Sequence, residues 1–359
     1  MSVSYAFPVV RGIQGGREYF VTMCQLHLVS KIFSLDAETS SPQFRSQRLI
    51  NKSRIPAISA YIVNNPTTYI FSSIIASIDS CVEFAPLSKD PKYYNVGTLR
   101  IPASAKIRIN DGQHRKLAIE QAVKKNPSLA HETISVIFFI DWGLNHSQQM
   151  FADLNRYAVR PTKSLNVLFD NRDPYSRIVM RVIDVVELFR EYTDLEKTDI
   201  SRSNTKLFTL SSLFFATKEL LQEQTSLSFE EKVQLAVGFW SAVADSISIW
   251  DALRDKEMSP CELRSSYICA HSVALIALGR VGRALFNAYP VEWRCKLKQI
   301  SAVDWRRCNP RWVNRIIING NITNTRKSIV LLANTIKAEV GIDLDEEERV
   351  AESSLLKYE

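Results

Sequence analysis

Apolar positions in the first 140 residues alternate in short runs, whereas beyond about residue 165 they recur at helical spacing. The stretch Lys106–Asn126, KIRINDGQHRKLAIEQAVKKN, holds both patterns. Ile107 and Ile109 alternate with Arg108 and Asn110, which predicts a short strand. Leu117, Ala118, Ala122 and Val123 then share one face of a helix that stops at Asn126-Pro127. Between strand and helix lies Asp111-Gly112-Gln113-His114-Arg115. Asp111 is the expected N-cap, and Gly112 lets the backbone turn sharply. Free backbone N–H groups and the helix dipole favour an anion at such a seam. His114 and Arg115 add cationic donors in the first turn. The expectation is a phosphate-sized anion site with an acid or base beside it. Ordinary helix entry explains an Asp cap, but it does not call for Gly, Gln, His and Arg in succession.

The rest of the chain falls around this seam. Residues 3–30 read as a hairpin turning at Gln14-Gly15-Gly16, with Tyr19–Leu28 as the return strand. Cys24 lies in that strand and is expected to be a buried, inert thiol. Gln47–Asn65 reads as a basic helix that restarts at Pro56. Tyr69–Glu83 reads as a strand with a second extended run near Cys81–Phe84, and Gly97–Ile101 is expected to pair with Lys106–Ile109. Thr133–Ile140 is rich in β-branched and aromatic residues, a buried strand. Residues 106–140 thus form a βαβ-like unit. The next helix, capped by Asn145 or Ser147, carries Asp153, Asn155 and Arg156.

Helices dominate after that: Pro174–Tyr192, Thr209–Gln222, Lys232–Trp250 behind the Ser228-x-x-Glu231 capping box, and Pro260–Asn287 as one helix or two. Asn319-Gly320-Asn321 reads as the turn of a small hairpin. Thr325–Val340 and the acidic stretch from Asp343 read as final helices. The expected fold class is α+β, with an α/β domain over 1–165 and a mainly helical domain over 166–359.

Composition narrows the function only slightly. The chain has 359 residues and a net charge of +7, a mild pull toward a polyanionic partner. Its six cysteines are scattered without a CxxC pair or zinc-type spacing, so no metal site is expected. No apolar run reaches membrane-spanning length and no signal-peptide pattern opens the chain, so a cytoplasmic location is expected. Trp305-Arg306-Arg307, Arg311-Trp312 and Arg315 form an Arg-rich segment suited to DNA phosphates. The plainer reading puts both tryptophans in the core and the arginines on a solvated face.

Several strings together suggest a family: Asp111–Arg115, Arg48…Asn51…Arg54-Ile55-Pro56, Phe71-Ser72-Ser73, Phe151-x-Asp153-Leu154-Asn155-Arg156, Lys206–Leu210, Asn309-Pro310-x-Trp312 and Asn319-Gly320. The chain resembles, over most of its length, the DndB family of DGQHR-domain proteins from the bacterial DNA phosphorothioation (dnd) system. The resemblance implies a ParB/sulfiredoxin-like N-terminal domain in which Gly112, Gln113, His114 and Arg115 bind nucleotide phosphates. Gln113 stands where sulfiredoxins carry their catalytic Cys, which removes that chemistry. It further implies a DNA-binding accessory protein that regulates the dnd genes, not the sulfur-transfer enzyme. The expected partners are double-stranded DNA of the dnd promoter region and other Dnd modification proteins, with a homo-oligomer if the DNA is palindromic and no membrane.

The alternative is an NTPase with ATP and Mg2+ as cofactors. Asp111 and His114 would be its catalytic residues. Arg48, Arg54, Asn155 and Arg156 would complete the phosphate clamp, without a Walker A string. A third reading is a scaffold with a vestigial pocket. DNA contacts are assigned to Arg306, Arg307, Arg311 and Arg315.

Overall fold

Gln14 pairs with Arg17 across a two-residue turn in which Gly15 and Gly16 both have positive φ (+59° and +73°). That backbone matches the twist of the strands it joins, and glycine adopts it without strain. The turn joins β1 (Ser4–Gln14) to β2 (Arg17–Gln25) in the computed structural model, which describes residues 3–34, 50–140, 148–150, 152–154, 161–201 and 204–356. The chain divides into two compact units, Met1–Val159 and Arg160–Glu359. It is mixed α/β, with a mixed sheet and many helices.

The return strand of the hairpin ends three residues earlier than expected. Leu26, Val29 and Ile32 are buried at spacing three, so Leu26–Ile32 coils as helix α1 instead of continuing the alternation. Six further strands follow: β3 (Phe33–Ser34), β4 (Ile74–Ile78), β5 (Glu83–Pro86), β6 (Val96–Pro102), β7 (Ile107–Asp111) and β8 (Thr133–Ile140). They build one eight-stranded sheet in the order β3-β7-β4-β8-β2-β1-β6-β5. The expected pairing of β6 with β7 is absent. β6 runs antiparallel to β1 and β5, whereas β7 lies between β3 and β4. Leu99 and Ile101 of β6 continue the buried row of Phe7 and Val9 across the sheet, and this long-range register overrides the local one.

The βαβ reading also changes. β4 sits between β7 and β8, antiparallel to the first and parallel to the second, so the strands flanking the central helix run in opposite directions. α2 (Ile55–Asn64) and α3 (Gln113–Lys125) join α1 over one sheet face. There Ile62, Ala118, Ile119 and Ala122 share a buried cluster with Ile74, Ala76, Ile107, Ile109, Val136 and Phe138. Burying one such Ile side chain contributes about 1.5–3 kcal/mol. Cys24 belongs to this cluster, and burial pushes its thiol up to about 12, the inert state expected of it.

The second unit is helical around an aromatic core that includes Phe189, Phe208, Phe239, Trp240 and Trp250. Its described helices are α4 (Lys163–Phe169), α5 (Pro174–Val185), α6 (Glu187–Tyr192), α7 (Leu210–Leu221), α8 (Phe229–Ser246), α9 (Asp251–Arg254), α10 (Pro260–Ser266), α11 (Ser272–Ala288), α12 (Trp293–Leu297), α13 (Arg326–Val340) and α14 (Glu346–Leu356). α5 and α6 split the single helix expected over Pro174–Tyr192, because Val186 turns extended between them. Thr209 caps α7, and the Ser228–Glu231 box opens α8 as the spacing implies. α11 crosses α7 where Gly279 lies, and any Cβ there would sit 2.2 Å from the Ala216 carbonyl oxygen. A parallel pair, β9 (Thr193–Asp194) with β10 (Phe208–Thr209), and a hairpin, β11 (Ile317–Ile318) with β12 (Asn321–Ile322), complete the unit. The hairpin turns at Asn319-Gly320, both at positive φ.

Candidate functional site

Asp111 is the last residue of β7, paired with Ile75 of β4, so it stays in the sheet and does not cap α3. Its carboxylate turns to Arg115, 2.6 Å away. The N-cap is Gly112, at φ +112°. That conformation strains any L side chain, and a Cβ there would lie 3.1 Å from Ile74 Cγ1 and 3.4 Å from the Arg115 guanidinium. A glycine cap brings no side-chain acceptor. Among the described residues, the N–H groups of Gln113, His114 and Arg115 therefore meet no acceptor.

The two cationic donors expected in this turn behave differently. Arg115 donates from Nη1 to the Ser72 carbonyl oxygen at 2.8 Å and to the Ser72 hydroxyl, and from Nη2 to Asp111. Its side chain is only 15% exposed. Arg115 thus clamps the turn to the segment before β4. His114 is not a cation. Its Nε2 accepts a hydrogen bond from the Asn51 N–H at 3.0 Å, which puts the ring proton on Nδ1. Burial and the nearby Arg54 charge push its pKa below the usual value, against an opposing pull from Asp111.

Asn51 also caps the turn Lys52–Arg54, accepting from Ser53 N at 3.1 Å. The Asn51–His114 bond therefore holds Arg54 over the start of α3. Arg54 is exposed, and among the described residues it has no ion-pair partner. Arg54, His114, Gln113 and Asp111 line a cavity of about 510 Å³. Ala57, Ile58, Tyr61 and Phe71 give it an apolar wall. The rings of Tyr61 and Phe71 stand 5.9 Å apart, and the Tyr61 hydroxyl accepts from the Ile70 N–H at 3.0 Å. Sequence reasoning missed this wall. Ile58 and Tyr61 lie three apart on α2, but nothing in the pattern shows that this face looks onto the Gly112 turn.

Arg48, Asn155 and Arg156 lie outside the described residues. Asp153 is exposed and accepts from Gln149 Nε2 at 2.7 Å.

In the second unit, Trp305 and Trp312 are core residues, and Trp312 donates from Nε1 to the Asp304 carbonyl. They are packed rather than free to stack. The arginines around them are engaged within the chain. Arg306 holds Asp304 at 2.9 and 2.7 Å, which keeps that carboxyl below its ordinary range. Arg307 donates to the Gly320 carbonyl at 2.6 Å and steadies the small hairpin. Arg311 pairs with Glu339 at 2.8 Å and Arg315 with Glu352 at 2.7 Å.

Among the described residues, no group of three or more His, Cys, Asp or Glu could hold a metal ion, and no single helix is long and apolar enough to cross a membrane. A family model, DndB, described as DNA-sulfur modification-associated, matches residues 7–343. No curated protein and no solved structure matches the chain.

Proposed function

Because the chain belongs to the DndB family of the DNA phosphorothioation system, we propose that it is a DNA-binding accessory protein that regulates the modification genes, with a nucleotide-phosphate pocket at Asp111–Arg115. The observation that carries the pocket is the meeting of the α3 N-terminus, which has no side-chain cap, with the guanidinium of Arg54, unpaired among the described residues, in one cavity. Open N–H groups and a free cation are what a phosphate needs. In this reading the first unit is ParB/sulfiredoxin-like at its phosphate-binding turn, and ATP with Mg2+ is its cofactor.

The reading of DNA binding rests on the family and on the +7 charge. Arg306 and Arg311 are its best-placed contacts, since their side chains are 63% and 53% exposed. Exposed ion pairs of that kind hold for about 0–1 kcal/mol, so a DNA phosphate competes with them. Arg307 and Arg315 are more deeply engaged and serve as supports. DNA phosphates, other modification proteins and a second copy of the chain are the proposed partners.

The test is binding of the purified protein to a promoter fragment of the modification genes against a scrambled competitor, across a salt series, with and without ATP and Mg2+. Promoter preference with affinity falling steeply as salt rises is expected, because bound counterions are released. A flat salt response refutes the DNA reading.

A further inference from the structure

We infer, resting on the nucleotide reading above, that the pocket holds a nucleoside polyphosphate, with Arg54 as its phosphate cation and the Tyr61–Phe71 wall as its base platform.

The accepting nitrogen of His114 is filled by the Asn51 N–H, and its other nitrogen carries the proton, so His114 donates toward a ligand. Arg54, the His114 Nδ1–H and the N–H groups at the start of α3 together make a set of phosphate donors among the described lining residues.

The apolar wall explains why a base would be bound as well. Inorganic phosphate would leave Ala57, Ile58, Tyr61 and Phe71 facing water across a cavity of about 510 Å³. A stacked base covers them, and aromatic platforms accept any base through its π-face. Arg115 is a positioning residue in this scheme. It shapes the turn through Asp111 and Ser72, and Arg54 meets the charge.

The experiment uses the full chain with each of the four ribonucleoside triphosphates and with sodium tripolyphosphate, which has the charge and lacks the base. Affinity is read by calorimetry in the presence of Mg2+. At least one triphosphate is expected to bind roughly 10-fold or more tighter than tripolyphosphate, the scale of one base stack. Phe71→Leu should remove most of that difference while leaving tripolyphosphate binding unchanged. Arg54→Ala should weaken both compounds together. Equal affinity for tripolyphosphate and every triphosphate overturns the inference. Failure of all five compounds to bind instead refutes the nucleotide pocket itself, an outcome separate from binding that does not discriminate the base.

Discussion

Lys337→Met should strip the C-terminal helix of its anchor. Glu348, in the first turn of α14, has no exposed surface, and Lys337 of α13 donates from Nζ to both of its carboxylate oxygens at 2.8 Å. Arg280 of α11 adds Nε at 3.3 Å, and the Asp345 N–H a fourth contact at 3.2 Å. Met replaces the Lys stem at nearly equal volume and removes only the charge. Losing one partner of a buried pair costs about 3–5 kcal/mol because the other charge stays desolvated. Arg280 remains beside Glu348, so the lower end, about 3 kcal/mol, is expected. In a unit of 200 residues this corresponds to a fall in Tm of roughly 6–12 °C.

The assay is urea denaturation followed by tryptophan fluorescence, since Trp240, Trp250, Trp293, Trp305 and Trp312 all report on this unit. The double variant Lys337→Met/Glu348→Leu should return to within about 1 kcal/mol of the parent, because an apolar pair is no worse than the ion pair it replaces. A single variant that loses less than about 1 kcal/mol would refute the claim that the pair is desolvated. A double variant that loses the sum of both singles would refute the coupling.

Three further outcomes follow from the geometry. Gly279→Ala should lower the Tm by several degrees, with overpacking costing about 1–3 kcal/mol, because the new methyl meets the Ala216 backbone; Gly238→Ala, which meets only the far end of Arg294, should leave the melting curve nearly unchanged. His271 has its pKa lowered, chiefly by burial, against a hydrogen bond with the Arg264 carbonyl that raises it, while the charges of Arg264 and Arg307 add to the lowering. The unfolded chain takes the proton first, so this stability is complete above about pH 6.5 and is lost as pH falls from there through the folded value. Tm measured from pH 7.5 to 5 should fall, and His271→Gln should flatten the slope; a Tm that rises on acidification contradicts the sign. Thiol titration with an aromatic disulfide should count Cys81, Cys261, Cys295 and Cys308 in the native protein and add Cys24 and Cys269 only on unfolding, since burial holds the latter two up to about 12.

Features written within a few neighbouring residues were legible before the fold was known. The Ser228–Glu231 box and the Asn319-Gly320 turn each satisfy local backbone groups with local atoms, and each stands where the spacing placed it. The strand and helix on either side of Gly112 were legible for the same reason. Pairing between distant segments was not. Nothing in Gly97–Ile101 names β1 as its partner, because register depends on which rows of side chains meet across the whole sheet. The site divides along the same line. Residues 111–115 are enough to propose a phosphate turn, yet the partners of Arg115 (Ser72) and His114 (Asn51) are decided by segments tens of residues away. Asp111 misled for a physical reason: it favours helix N-caps, but a carboxylate four residues before an arginine also makes an ion pair, and here the pair prevails.

The strand order also bears on how the protein is made. The β1–β2 hairpin closes as soon as its glycine turn leaves the ribosome, but the sheet it belongs to cannot. β1 waits for β6, β2 waits for β8, and β4 cannot be flanked on both sides until Thr133–Ile140 exists. Non-local pairings of this kind fold slowly and leave strand edges open while they wait. A nascent chain ending at Asn126 would already contain every residue of the Asp111–Arg115 turn, yet β8, the parallel neighbour of β4 beside that turn, would be missing, so the turn gains its full sheet support only after synthesis has passed Ile140.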